Sequence, residues 1–276
     1  MKRLALILAF LPLGAAQDAK RPRILGVAHV SLFVSDLQKA RAFYNDYLGF
    51  GEPVSGLIGI NHRQHIELVA EAPKNDGQLD HIAFYTDNAK AMHEYLASRG
   101  VKVPIADPDG HRVEFVQYEP GSRRAGATSV SDRIGHIGVL TRDTERALRF
   151  YRDILGFQGS DGDKWRVPDG EDCLELGLNR KQPTPDRLNI KNHICFDSPD
   201  VSKVVATLRA RAAREIEVHE TSTGKRVANL YDPDGSRIEF MENRETGDGV
   251  LIPHFSPVAR PSGRGRNWGM STPSPV

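Results

Sequence analysis

Histidine and glutamate residues recur in this chain in the same order and at nearly constant separation. The first set is His29, Glu67, His81 and Glu114, and the second set is His136, Glu175, His193 and Glu239, at offsets of 107, 108, 112 and 125 residues. Each residue lies in an apolar, strand-like run, where a charged group is costly unless it is paired or bound to a metal. The duplication therefore predicts two metal sites rather than eight packing residues.

Two imidazole nitrogens and two carboxylate oxygens suit a divalent first-row ion, with room left for water or substrate. Zn, Ni, Mn, Co and Fe(II) all fit, and the ligand types do not choose among them. Such an ion polarises a carbonyl or enediolate oxygen and lowers the pKa of its bound water. A ligand carboxylate that leaves the metal can then act as a general base.

Strand alternation predicts which side chains accompany the ligands, because residues two apart share a face. In the first half the predicted neighbours include Val27, Ser31, Phe33 and His65, and the predicted substrate-binding residues are Arg63, Tyr85, Arg112 and Tyr118. This rim suits an anionic or phenolic ligand. The second half is predicted to place blander residues there, namely Ile134, Gly138, Gly177, Lys191 and Met241.

The only two cysteines, Cys173 and Cys195, lie two residues from Glu175 and His193. Alternation predicts that both face the second ligand set, where a disulfide, a thiolate role and simple apolar packing all stay open. The other histidines are predicted to lie on the surface or around the ligands: His62, His65, His93, His111, His219 and His254.

Four segments repeat one order of elements, a strand, a helix and then three strands. Ile24 to Val34 reads as a strand and Asp36 to Phe50 as a helix that Ser35 or Asp36 can cap. The second and fourth segments each carry an Asp-Pro-Asp-Gly turn, at Asp107 and Asp232. Only six residues separate the predicted helix of the second segment from its turn, whereas eighteen residues separate the helix of the fourth segment from its turn. We therefore expect the second segment to lack one strand.

The segment boundaries predict two domains, 24–119 and 133–243, joined by a polar linker at 120–132. Residues 244–276 show no periodicity and are predicted to be disordered. Residues 1–16 have a basic start, ten apolar residues and a small-residue cleavage site, the layout of a signal peptide. We expect a secreted or periplasmic protein that has no membrane segment after cleavage. The formal net charge of +1 gives no indication of nucleic-acid binding, and nothing fixes the oligomeric state.

The combination of these motifs resembles the vicinal oxygen chelate superfamily. It comprises the strand histidine, the Phe-Tyr-x-Asp-x-Leu-Gly-Phe helix end, the strand glutamate and the Asp-Pro-Asp-Gly turn followed by Val-Glu or Ile-Glu, and it extends over about residues 24 to 243. The resemblance implies an α+β fold of four βαβββ modules that form two domains with cupped mixed sheets around a metal. It also implies that all eight repeated residues are ligands, with Glu114 or Glu67 doubling as the catalytic base.

Within the superfamily, a full His-Glu-His-Glu set resembles the glyoxalase branch. That likeness implies a lyase or isomerase whose small-molecule substrate chelates the metal through adjacent oxygens. An exported protein would rarely meet a glutathione adduct, because that thiol is chiefly intracellular.

A ring-cleaving dioxygenase that uses His136, His193 and Glu239 is the second reading. Dioxygenases carry a tyrosine where this chain has Asn229, and Tyr231 is predicted to face the other side of its strand. A metal-free protein that sequesters a small molecule, as bleomycin-binding members do, is the third.

Overall fold

The computed structural model describes residues 20–54, 56–71, 78–117, 126–160, 163–178 and 192–243. The predicted signal peptide, the predicted disordered tail and residues 120–125 of the linker lie outside the described residues, as do Tyr118, Lys191 and His254. Among the described residues, no helix is long and apolar enough to cross a membrane.

The first half of the chain forms one six-stranded sheet with two helices. Its strands are β1 (Ile24–Phe33), β2 (Gly51–Val54), β3 (Leu57–Gly59), β4 (His65–Val69), β5 (Leu79–Thr86) and β6 (Arg112–Gln117). Its helices are α1 (Leu37–Arg41) and α2 (Ala89–Ser98). The strand order is β2-β3-β4-β1-β5-β6.

The second half repeats this plan with eight strands. They are β7 (Ile134–Thr141), β8 (Gln158–Gly159), β9 (Lys164–Arg166), β10 (Cys173–Leu178), β11 (His193–Ser198), β12 (Glu217–Glu220), β13 (Arg226–Tyr231) and β14 (Arg237–Glu242). Helices α3 (Thr144–Leu148) and α4 (Val201–Arg211) accompany them. The order is β12-β13-β14-β11-β7-β10-β9-β8.

Both sheets are mixed, which confirms the α+β prediction. β1 runs antiparallel to β5 and parallel to β4, and β7 runs antiparallel to β11 and parallel to β10. Modules one and two therefore share one sheet, and modules three and four share the other. The sequence alone left this pairing open.

The helices begin where the sequence places capping residues. The Asp36, Asn88, Asp143 and Asp200 side chains each accept a hydrogen bond from the first turn of their helix, which satisfies an otherwise unpaired N–H. Beyond the prediction, α1 continues as a π-helical turn over Ala42–Tyr47, and α3 does the same over Arg149–Ile154. Gly49 and Gly156, both at φ +80°, follow these turns, a conformation that favours glycine.

Module two lacks two strands, and the prediction of one missing strand was wrong. Module four places β12 and β13 between α4 and β14, whereas module two has only the isolated bridge between Ala106 and Arg112 at that place. This bridge matches the Tyr231–Arg237 pair at the end of β13. The short segment before Asp107 is long enough for that single bridge but not for a hairpin, so β6 forms the edge of its sheet.

Two bulges change which residues share a face with the ligands. The β1–β5 register shifts between Val27 and His29, and the β7–β11 register shifts between Ile134 and His136. An extra residue at such a point reverses the alternation beyond it. Val27 and Ile134 therefore pack into the main core, and their predicted position on the ligand face was wrong.

The two halves share one hydrophobic core on the side of the sheets away from the ligands. Phe50 packs on Phe196 at a ring-centroid distance of 5.0 Å, and Phe84 packs on Phe157 at 5.5 Å. Gln64 hydrogen-bonds both the N–H and the carbonyl of Ile134, at 2.9 and 3.1 Å. These contacts fix the two sheets against each other.

The Asp-Pro-Asp-Gly turns bind tyrosines of the opposite half. The Tyr44 hydroxyl donates to Asp232 at 2.9 Å, and the Tyr151 hydroxyl donates to Asp107 at 3.0 Å. Both tyrosines are fully buried. The repeated helix-end and turn motifs thus form a reciprocal pair of contacts between the halves.

Removing either buried hydroxyl should destabilise the protein. Tyr44→Phe and Tyr151→Phe each leave a buried carboxylate with one donor fewer, so we expect each to lower the free energy of unfolding by about 1–3 kcal/mol. Urea denaturation measures this. Tyr231→Phe is the control, because Tyr231 is 40% exposed and its loss should cost less than about 0.5 kcal/mol. Equal values for all three variants would contradict the assignment.

Asp232 should make stability depend on pH. Burial raises the pKa of Asp232 from 3.8 to about 6, against the opposing hydrogen bonds from the Ser236 N–H and Tyr44. The folded state then holds the proton more tightly than the unfolded state, so this contribution is greatest below about pH 4 and is lost as pH rises to about 6. The stability of wild type relative to Asp232→Asn should fall by on the order of 2–3 kcal/mol between pH 4 and 7. A pH-independent difference in urea denaturation would contradict this.

Candidate metal centres

A pair of imidazoles lies on the two strands at which the modules of each sheet meet. His29 on β1 and His81 on β5 place their Nε2 atoms 2.9 Å apart, and His136 on β7 and His193 on β11 place theirs 3.0 Å apart. All four rings are at least nine-tenths buried. At these distances one nitrogen of each pair must carry a proton or a metal ion must lie beside both.

The glutamates reach these imidazoles from the strands on either side. At the first site Glu67 on β4 and Glu114 on β6 lie 3.7 and 3.5 Å from His81 Nε2. β4 and β6 are three strand spacings apart, about 14 Å in a flat sheet. Their carboxylates can meet at one histidine only because the sheet curves around it, which confirms the cupped shape.

The second site repeats this convergence on His136. Glu175 on β10 and Glu239 on β14 lie 3.3 and 3.7 Å from His136 Nε2. Within each set, three residues offer ligand atoms within 4.8 Å of one another: His29, Glu67 and His81 at the first site, and His136, His193 and Glu239 at the second. Glu114 and Glu175 are the remaining members of the two sets, 3.5 Å from His81 Nε2 and 3.3 Å from His136 Nε2.

Both groups fit a divalent metal ion. Metal–ligand bonds of about 2.0–2.2 Å place neighbouring ligand atoms about 3.0–3.5 Å apart, close to the spacings between the histidine nitrogens and the carboxylates. Burial, together with Lys164 and Arg237, lowers the pKa of His136 well below 6.5. The imidazole is therefore neutral, the form that a metal requires.

The missing strands of module two make the first site more open than the second. The Glu67 and Glu114 side chains are 38% and 40% exposed, whereas Glu239 is 8% exposed. β13 covers Glu239, with Asn229 as its register partner. Burial accordingly raises the pKa of Glu239 above its usual value. Glu114 lies on β6, the edge strand of its sheet.

Asp80 contacts the first site, and the sequence pattern did not identify it. Its Oδ2 accepts from His81 Nδ1 at 2.8 Å and from the Arg112 guanidinium at 3.1 Å. Adjacent strand residues normally face opposite ways, but the β1–β5 register shifts between the Ser31–His81 and Leu32–Leu79 pairs. The bulge at Asp80 therefore brings two consecutive side chains together. No sequence signal marks this bulge.

Three of the four predicted substrate-binding residues lie among the described residues. The Tyr85 hydroxyl donates to the Arg63 carbonyl oxygen at 2.6 Å, and the Arg63 guanidinium lies 5.8 Å from the centre of the Tyr85 ring. These two residues form one cluster beside the site. Arg112 instead contacts His81 Nδ1 at 2.7 Å and Glu114 at 3.5 Å, so it supports the ligands directly.

His65 lies next to the first imidazole pair. Its ring centroid is 4.5 Å from that of His29, and it is buried, in agreement with the prediction of a position around the ligands. His62, His93 and His219 are exposed, as predicted. His111 is not exposed, because its Nδ1 pairs with Asp107 at 2.9 Å.

Tyr231 faces the second site, and the prediction that it faces away was wrong. It is the register partner of Arg237, just as Asn229 is the partner of Glu239. Residues 229 and 231 are two apart and share a face. Asn229 lies deeper, and its Oδ1 is buried without a hydrogen-bond partner among the described residues.

A comparison with known protein families agrees with the fold and with the candidate metal sites. Residues 26–115 and 133–240 match the Glyoxalase/Bleomycin resistance protein/Dioxygenase superfamily. The chain is a member of that superfamily, and the two matched segments correspond to the two sheets.

Individual relatives fall in two branches. The chain is 22% identical to glyoxalase I of Saccharomyces cerevisiae over 69% of this chain and 75% of that protein, and 27% identical to lactoylglutathione lyase of Haemophilus influenzae over 43% and 98%. Among solved structures, homoprotocatechuate 2,3-dioxygenase of Brevibacterium fuscum matches with a TM-score of 0.58 at 20% identity over 82% of both chains. The Mn(II)-bound glyoxalase of Novosphingobium aromaticivorans matches with a TM-score of 0.56 at 18% identity, over 80% of this chain and 82% of that chain.

The two cysteines should be free thiols. Cys173 and Cys195 are register partners of His136 from opposite sides, so their Cα atoms are about 9.6 Å apart, beyond the roughly 7 Å limit for a disulfide. Burial raises the pKa of Cys195 well above 9, which keeps this thiol protonated. A thiol titration of protein denatured without reductant should count two thiols. A count of zero would contradict the register.

Proposed function

We propose that the protein is a metal-dependent lyase or isomerase of the glyoxalase type. Its substrate would be a small molecule with two adjacent oxygens, bound at the first site. The observation that carries the proposal is the complete set of two histidines and two glutamates on four neighbouring strands, present in both halves. Two of the curated relatives that match the chain are glyoxalase I and lactoylglutathione lyase.

A bound divalent ion would polarise a carbonyl or enediolate oxygen of the substrate. The protein would supply the base, and Glu114 is the carboxylate best placed for that role. Glu114 lies outside the compact group of three ligands, on an exposed edge strand. Its carboxylate can therefore take a proton from a substrate carbon without leaving the other ligands unpaired. Arg112, 3.5 Å away, would hold that carboxylate in place.

Substrate selection would fall to the cluster beside the site. The Arg63 guanidinium is a donor for an anionic or polar substituent, and its stacking on Tyr85 restricts its position.

We also propose that the protein is exported, on the strength of its N-terminal sequence. A substrate other than a glutathione adduct then follows, and N-terminal sequencing of secreted or periplasmic material tests the export.

A dioxygenase is the second candidate, favoured by its similarity in fold and by the position of Tyr231 on the ligand face. Glu175 counts against it, since this carboxylate lies 3.3 Å from His136 Nε2 where an iron dioxygenase keeps open positions. Oxygen consumption with a catechol by the iron-loaded protein would favour this candidate. A protein that binds no divalent ion after reconstitution would instead favour a sequestering role.

Glu114→Gln should abolish most of the activity. We expect kcat for hemithioacetals of 2-oxoaldehydes with several thiols to fall by about 10²–10⁴-fold, the usual contribution of a general base. Bound metal, measured by elemental analysis, should persist through the remaining three ligands. The matched control is Glu94→Gln on the exposed face of α2, which should keep wild-type kcat. A Glu114→Gln protein with kcat within about threefold of wild type would refute the assignment.

A further inference from the structure

We infer that the two sites differ in affinity for a divalent ion, and that Asp80 makes the first site the tight one while Lys164 weakens the second. The inference rests on the proposed metal dependence and concerns the residues around the ligands. The ligands themselves are the same in both halves, so any difference must come from their neighbours. Two substitutions between the modules supply that difference.

Asp80 strengthens the first site. A carboxylate only accepts hydrogen bonds, so the Asp80 contact at 2.8 Å favours a proton on His81 Nδ1, against the Arg112 guanidinium 2.7 Å from the same nitrogen. In this tautomer the Nε2 lone pair is available to a metal ion beside His29 Nε2, which lies 2.9 Å away. A carboxylate behind a ligating histidine also raises its basicity, and losing such a partner typically costs 10–100-fold in metal affinity.

Asn192 occupies the matching place in the second half and faces elsewhere. Its Oδ1 accepts from the Leu140 N–H at 2.7 Å, so the side chain is used by the neighbouring strand. The group against His193 Nδ1 is the Arg237 guanidinium, at 2.7 Å. The Arg112 guanidinium lies at the same distance from His81 Nδ1 in the first site, so the two sites differ at this nitrogen by the Asp80 carboxylate.

Lys164 adds a positive charge to the second site. Lys164, on β9, is the register partner of Glu175 on β10. At the matching place in the first half, Leu57 on β3 is the register partner of Glu67 on β4. The Lys164 ammonium reaches across to Met241 Sδ on β14, 3.5 Å away. It therefore lies over the ligand face, where it competes with a cation for the same carboxylates.

The formal charge around the first site is more negative than the charge around the second site. Around the first site three carboxylates face one guanidinium, a formal charge of −2, from Asp80, Glu67, Glu114 and Arg112. Around the second site two ligand carboxylates face Lys164 and Arg237, and the charge is −1 when the exposed Asp163 beside Glu175 is included. A divalent cation is attracted more strongly by the first environment.

Titration with Mn²⁺ alone, followed by electron paramagnetic resonance of the free ion, tests this on the full-length protein. Wild type should show one tight phase and one phase at least about tenfold weaker. His136→Ala should retain the tight phase, and His29→Ala should lose it. Asp80→Asn should weaken the tight phase by about 10–100-fold and leave the weak phase unchanged. Lys164→Leu, which installs the residue of the matched position, should tighten only the weak phase.

The outcomes separate this inference from the proposed function. Two equal phases, or a tight phase that His136→Ala removes and His29→Ala keeps, would overturn the inference and leave metal dependence standing. No binding of Mn²⁺, Zn²⁺ or Ni²⁺ at either site would overturn both. Circular dichroism and the urea midpoint of Asp80→Asn distinguish weaker binding from unfolding, and Lys164→Leu tests the inference even if Asp80→Asn does not fold.

Discussion

The structure depends on pairs of imidazoles held at the seam between modules. His29 and His81, like His136 and His193, come from antiparallel strands that belong to different modules, so neither module contains a complete site. Their contact requires the modules to share a sheet in one register, because a slip of one residue would turn a histidine to the other face. The same register sets the positions of the flanking glutamates.

Duplication preserved the ligands but not their surroundings. The loss of two strands in module two exposes Glu114, while β13 buries Glu239 behind Asn229. Exposure suits a carboxylate that exchanges protons with a substrate, and burial suits one that is fixed. The two halves are therefore similar in fold and donor set yet differ in access, in charge and in the partner of the second histidine.

Periodicity and repetition predicted the fold and the convergence of the eight repeated residues, because these residues recur at fixed places in strands whose side chains alternate. The features that were missed or misplaced arise at bulges and across long-range pairings. Asp80 reaches His81 and Val27 turns into the core because single residues are inserted in the β1–β5 ladder. Lys164 reaches the second site through pairing of β9 with β10, which no local pattern encodes.

The proposed function requires a divalent ion bound by paired imidazoles and by carboxylates from neighbouring strands. X-ray absorption at the K-edge of the ion bound to the full-length protein measures this coordination directly. We predict two histidine nitrogens and otherwise oxygen ligands, at about 2.0–2.2 Å. A spectrum without the histidine scattering pattern, or with sulfur from Cys173 or Cys195 in the first shell, would contradict the account.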